Sequence, residues 1–281
     1  MLSDYHQTLL LLTGIHVLLG WSAYLPLATG QLSLGNAGFM AVGAYTASLL
    51  TVQQKWPLLP ALVAGALLAG LLGLLVGLPA LRLRGIYLAI ATLGFGEIVR
   101  TFFLNFELTG GPMGMRGMSG TTLGLVWGWV LLAGVTFFAL THSRLGLSLD
   151  AVHDDELAAE LIGLDVTALK VGAFGAGATL AGLGGGLYAH YILFIEPGAF
   201  NFLESITMVL FVLLGGMRTF WGTVIGATVF TLLPDLLRVL QDWRGAFFGA
   251  LLVVLLILRP WGLLPRGTLR LGLGRLAAPS G

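Results

Sequence analysis

The chain contains no cysteine, which excludes disulfides and thiolate metal sites. Charge is nearly as scarce. Charged residues make up 10% of 281, against about 25% in an ordinary soluble domain. Hydrophobic residues make up 57%, and the mean hydropathy is +0.94. A soluble core cannot hide that much apolar surface, so the composition places the chain among all-α polytopic membrane proteins. The net charge of +1 leaves no electrostatic footprint for a nucleic-acid partner. Lysine occurs only as Lys55 and Lys170, and neither sits in a GxxxxGK[ST] phosphate loop. The chain therefore has no ATP-hydrolysing motif of its own. No catalytic constellation and no metal-ligand cluster is expected. The first residues, MLSDYHQ, lack the basic flank of a cleaved signal, so the first apolar run reads as a retained span.

What is present is length in apolar runs. A spanning helix needs about 20 of them. Nine stretches qualify or nearly do: 8–29, 34–53, 58–80, 86–105, 121–141, 171–194, 201–215, 219–239 and 245–258. The second opens in the glycine-rich segment Gly30 to Phe39, so eight spans plus a re-entrant piece is the alternative. No repeat of fixed period is visible, and 1–281 reads as a single transmembrane domain. Basic residues set the orientation. Arg82, Arg84, Arg144, Lys170, Arg218, Arg259, Arg266, Arg270 and Arg275 fall on one side. Lys55, Arg116 and Arg244 fall on the other, with Arg238 near a span end. The first side is then cytoplasmic, the N-terminus outside and the C-terminus inside. Forty-two glycines are many. Gly65/Ala69, Gly73/Gly77 and Gly182/Gly186 have the small-xxx-small spacing that lets helices approach closely in lipid.

The polar residues are concentrated. Between His142 and Lys170 lie Asp150, Asp154, Asp155, Glu156, Glu160 and Asp165. Ser148 to Ile162 has no Gly or Pro, and its apolar residues recur at helical spacing. Ser148 or Asp150 is the expected cap, Gly163 the stop, and Asp165 or Thr167 the start of the next helix. Two short surface helices would fit a groove on a soluble partner. Inside the spans, Glu97 and Arg100 stand at i,i+3, where they can pair on one helix face. Glu97 lies about 16 Å into its span at 1.5 Å per residue. Charges at that depth need pairing or a wet cavity. Gln31, Ser33 and Asn36 mark the glycine-rich segment as a second place where a path could be lined. Glu196 and Glu204, beside Pro197, fall in an outer turn suited to docking a binding protein. A packing or merely hydrated role is the bland alternative at each of these positions.

LAAELIG (Leu157 to Gly163) resembles the EAA loop of ABC-importer permeases: Ala158, Ala159 and Gly163 match. Leu157 stands where that pattern has Glu, Glu156 is one place early, and the later Ile-x-Leu-Pro is absent. GQLSLGNAGFMAVGAY (30–45), LRLRGIYLAIATLGFGEIVR (81–100), LAGLGGGLYAH (180–190), GGMRTFWGTVIGA (215–227) and RPWGLLP (259–265) resemble the permeases of branched-chain amino-acid ABC importers, the M-type in particular. The resemblance implies an inner-membrane importer subunit with several partners. These are two cytoplasmic ABC ATPases, a second permease forming a heterodimer, and an extracytoplasmic substrate-binding protein. ATP would be used by the ATPase subunits, with no cofactor bound by this chain. It implies that Ala158, Ala159 and Gly163 seat the loop in the ATPase, with Asp154, Asp155, Glu156 and Glu160 around the rim. Two other cargo or energy readings stay open: a urea or short-amide importer, and an ion-gradient transporter using Glu97. The GMSG sequence (Gly117 to Gly120) with His190 fits an intramembrane serine-protease pattern but satisfies no further requirement of a dyad.

Overall fold

The computed structural model describes residues 4–236, apart from Leu81 and Arg84, together with Gly249. The expected ninth span (245–258), the RPWGLLP segment and the arginines from Arg238 onward lie outside the described residues.

The described chain is almost wholly helical. Eight longer helices are α1 (Asp4–Leu27), α2 (Asn36–Val52), α3 (Leu58–Ala80), α4 (Ile86–Asn105), α5 (Leu123–Thr141), α8 (Val166–Ile192), α9 (Phe202–Gly215) and α10 (Phe220–Leu236). Two short ones, α6 (Arg144–Asp154) and α7 (Glu156–Leu161), form the polar loop. A two-residue antiparallel ladder pairs β1 (Met115–Arg116) with β2 (Phe194–Ile195).

The core is a block of α1, α2, α3 and α8. Its contacts explain the glycines. A Cβ on Gly43 would overlap the Gly182 carbonyl, and one on Gly185 would overlap the Met40 carbonyl. Gly65 faces the Gly43 carbonyl at 2.7 Å from where a Cβ would stand. Backbones meet where no side chain fits, which is how apolar helices associate without a hydrophobic force. The aromatic Trp21 closes the other flank: it is buried, and its Nε1 donates to the Phe220 carbonyl at 3.0 Å.

The helix ends sort into two sets. At one end, His153 Nδ1 donates to the Leu27 carbonyl at 3.1 Å, and Arg218 pairs with Asp154 at 3.2 Å. At the other, Gln53 donates to the Leu108 carbonyl at 2.9 Å, and Thr121 donates to the Leu187 carbonyl at 3.0 Å. The β1–β2 ladder lies there too.

The span count differs from the sequence expectation. Among the described residues, five helices (α1, α3, α4, α5 and α8) are long and apolar enough to cross a membrane. The α9–α10 pair adds a sixth if taken as one broken span or re-entrant loop, bent by 117°. The reason is length: α9 has 14 residues, about 21 Å at 1.5 Å each, against a hydrocarbon core of about 30 Å. Asn201 caps its start, and Gly216, at φ +118°, ends it. The second stretch is also shorter than expected. Gly30 to Gly35 is irregular, and α2 begins only at Asn36.

Candidate functional site

The polar loop is a folded unit. Ser143 caps α6, so neither Ser148 nor Asp150 does. The expected continuous helix breaks at Asp155, whose carboxylate instead accepts from Leu157 N at 2.9 Å and Ala158 N at 3.1 Å to start α7. Gly163 then turns the chain at φ +88°, a conformation L-residues rarely adopt. Asp165 caps α8 through Ala168 N at 2.9 Å, as expected.

Three of the four rim acids have partners inside the chain. Asp155 is the cap. Asp154 holds Arg218 in the α9–α10 turn, and Glu156 holds Lys170 on α8. Glu160 is exposed. Of the three small residues expected against an ATPase, Ala159 is turned inward. It is 2% exposed and packs with Val152 and Val166. Ala158 and Gly163 are on the surface. What the loop shows outward is apolar: Leu157 is 66% exposed, Leu161 88% and Ile162 73%. Three large hydrophobic side chains thus stand exposed on one six-residue stretch of a hydrophilic loop. The helical spacing of Leu157 and Leu161 is visible in the sequence; Ile162, just past the end of α7, lies outside that pattern. Lys170 and Arg218 as internal partners are not visible there, because they lie 14 and 64 positions from the acids they hold.

The second cluster gathers residues from α2, α4 and α9. Gln31, Ser33 and Asn36 are buried. Leu34 N donates to Thr92 Oγ1 of α4 at 2.9 Å, and Ala37 N donates to Ser205 Oγ of α9 at 3.0 Å. Side-chain hydroxyls thus satisfy backbone donors freed by the irregular segment, as buried irregular backbone requires. The Asn36 amide nitrogen is buried without a partner. Glu97 borders the same region, and a cavity of about 10 Å³ between Leu34, Ala37, Glu97 and Ser205 has room for about one water. Arg100 Nη1 donates to Glu97 Oε2 at 3.0 Å. The pair is not buried: its side chains are 35% and 42% exposed. It sits beside the outward α4 face that carries Ile90, Ile98 and Phe102.

Glu196 is exposed in the loop after β2, and Glu204 is half-buried in the first turn of α9. Both stand at the end opposite the polar loop. Thr92 and Ser205 are site residues that sequence reasoning missed; hydroxyls within apolar helices were the only signal. The protease pattern does not assemble. His190 Nδ1 donates to the Gly186 carbonyl at 2.8 Å and Nε2 meets Thr51 Oγ1 at 2.8 Å, while Ser119 is exposed in the loop between α4 and α5.

The described residues form a bundle of long apolar helices that carries a folded polar loop. The chain belongs to the family described as branched-chain amino acid transport system / permease component, whose family model matches residues 6–257. It is 36% identical to the high-affinity branched-chain amino acid transport system permease protein LivM of Escherichia coli K12, over 90% of this chain and 68% of that protein. It is 26% identical to the probable branched-chain amino acid transport permease protein LivM of Methanocaldococcus jannaschii, over 73% of this chain and 68% of that one. It is 29% identical to the autoinducer 2 import system permease protein LsrC of Yersinia pseudotuberculosis, over 69% and 60%. No solved structure matches the chain.

Proposed function

We propose that the chain is the M-type permease subunit of an ATP-driven importer for branched-chain amino acids in the inner membrane. It works by alternating access, coupled through residues 142–170 to two separate cytoplasmic ATPases. A second, different permease and an extracytoplasmic binding protein complete the assembly. The observation that carries this reading is the apolar face Leu157–Leu161–Ile162 on a loop latched to the bundle by Asp154–Arg218 and Glu156–Lys170. A loop built only to be hydrated has no use for that face. The similarity to LivM supports the cargo class.

Orientation follows from charge. Arg82, Arg144, Lys170 and Arg218 belong to the polar-loop end, Lys55 and Arg116 to the opposite one. The polar-loop end is then cytoplasmic. With the bent α9–α10 pair entering and leaving at the opposite end as a re-entrant loop, 245–258 as a further crossing would put the C-terminus inside. In this reading Glu97, Arg100, Gln31, Ser33 and Asn36 border the path. It is closed at their level, since the cavity there holds no more than about one water. Glu196 and Glu204 face the binding protein.

The test is co-purification with the ATPases, the second permease being co-expressed. Leu161→Glu should lose ATPase capture while the permease stays monodisperse. A buried leucine is worth about 1.5–3 kcal/mol, so the loss should be roughly tenfold or more. Undiminished capture by Leu161→Glu removes the coupling role.

A further inference from the structure

The Glu97–Arg100 pair is charge at bilayer depth that its own chain leaves uncovered. Glu97 lies about 16 Å along α4 at 1.5 Å per residue, near the middle of a 20-residue helix. Both side chains are more than a third exposed. Arg100 stands close enough to the end of α4 at Asn105 for its long side chain to reach the membrane surface. It turns back instead, and Nη1 donates to Glu97 Oε2 at 3.0 Å. Arg100 Nε is enclosed and has no partner among the described residues. Lipid neither hydrogen-bonds nor solvates such groups, so a pair exposed at this depth has to meet protein or water.

The interior of the chain does not supply that cover. Glu97 looks inward on a cavity of about 10 Å³ shared with Leu34, Asn201 and Phe202, with room for about one water. Outward, the pair opens on the edge where α4 meets the start of α9, and Phe202 stands 38% exposed on the same edge. The far side of α4 carries Ile98 and Phe102 and no charge. Phe102 is 54% exposed and lies about 140° around the helix from Glu97, at about 100° per residue.

The cover is identified by depth, and its identity rests on the importer function proposed above. In that assembly the ATPases and the binding protein are soluble and meet the permease at its two membrane faces. The second permease is the subunit with side chains in the hydrocarbon region. Turned about a two-fold axis along the membrane normal, its facing helix stands at the same level as α4. An acid and a base three positions apart then fit a like pair across the axis, each acid toward the other chain's base. We propose that the second permease seats on the edge formed by Glu97 and Arg100 of α4 and the first turn of α9. Its own polar groups complete the pair across the interface, and the Phe102 side of α4 faces lipid.

The experiment co-expresses the full chain with the second permease and the ATPases, each subunit carrying its own tag. The photoreactive analogue p-benzoylphenylalanine replaces Phe202 or Phe102, a mild change at either position. Irradiation of the membranes should join the chain to the second permease from the Phe202 position, several-fold more than from the Phe102 position. A separate variant exchanges the charges, Glu97→Arg together with Arg100→Glu. It keeps an ion pair within α4 but presents the opposite polarity to the partner. Recovery of the second permease should fall several-fold, while the variant purified alone stays monodisperse with the thermal midpoint of wild type. Undiminished recovery by the exchanged pair would overturn the proposal and leave the importer reading standing. So would joining from Phe102 in place of Phe202, joining from Phe202 to another copy of this chain, or joining from Phe202 to this chain's own residues beyond 236. Failure of wild type to capture any second permease would overturn both.

Discussion

Single residues divide into those that cannot change and those that can. Gly43 and Gly94 are both helical glycines. A methyl at Gly43 strikes the Gly182 backbone, whereas one at Gly94 meets nothing within 4 Å. Gly43→Ala should cost about 1–3 kcal/mol, the usual price of overpacking. Gly94→Ala should be neutral or slightly stabilising through helix propensity. Thermal unfolding in detergent separates the two. Glu97 poses a different question. Its pairing with Arg100 was legible from the i,i+3 spacing, but its partial exposure was not, since spacing says nothing about what covers a helix. If the pair borders the path, Glu97→Gln should slow amino-acid uptake several-fold with the complex assembled at its normal level. Unchanged uptake would leave the pair a purely structural role.

Elements were easier to read than the joints between them. The third and fourth apolar runs coincide with α3 and α4 residue for residue, because uninterrupted hydropathy leaves helix as the form that satisfies the backbone in lipid. The apolar run within α8 begins only at 171, five residues inside the helix, but the capping signal at Asp165 marks the start itself. The break at Asp155 is not legible in the sequence: a residue able to cap a new helix is also tolerated within one, and the ion pair beside the break joins Asp154 to Arg218, 64 positions away. That pair can be tested at the scale of the loop. Asp154→Asn and Arg218→Gln should each move the thermal midpoint little, since an exposed ion pair is worth about 1 kcal/mol or less. Both should weaken the link between ATP hydrolysis and uptake. The double variant should be no worse than either single one. Additive losses in hydrolysis-to-uptake ratio would show that the two residues act separately.

At the scale of the whole molecule, the topology is the outstanding claim. The absence of native cysteine makes single-cysteine labelling unambiguous. In intact cells, Ser119→Cys should react with an impermeant maleimide and Leu161→Cys should not, until the membrane is opened. The reverse pattern would invert the orientation derived from charge. The orientation of the bundle in the membrane rests on the basic residues alone. The bent α9–α10 pair was not recoverable, because a helix too short to cross looks in sequence much like one that merely begins late.

The glycine seam between α2, α3 and α8 has a consequence for how this chain can drift over generations. Where backbones touch, a substitution cannot be absorbed by one side chain moving aside, so two helices must change together or not at all. The outer faces of α4 and α5 carry no such obligation. A saturation-mutagenesis map should therefore be two-toned, nearly blank to replacement along the seam and permissive to any apolar residue on those faces. Variation between relatives would collect on the permissive part, leaving the seam as the slow clock of the fold.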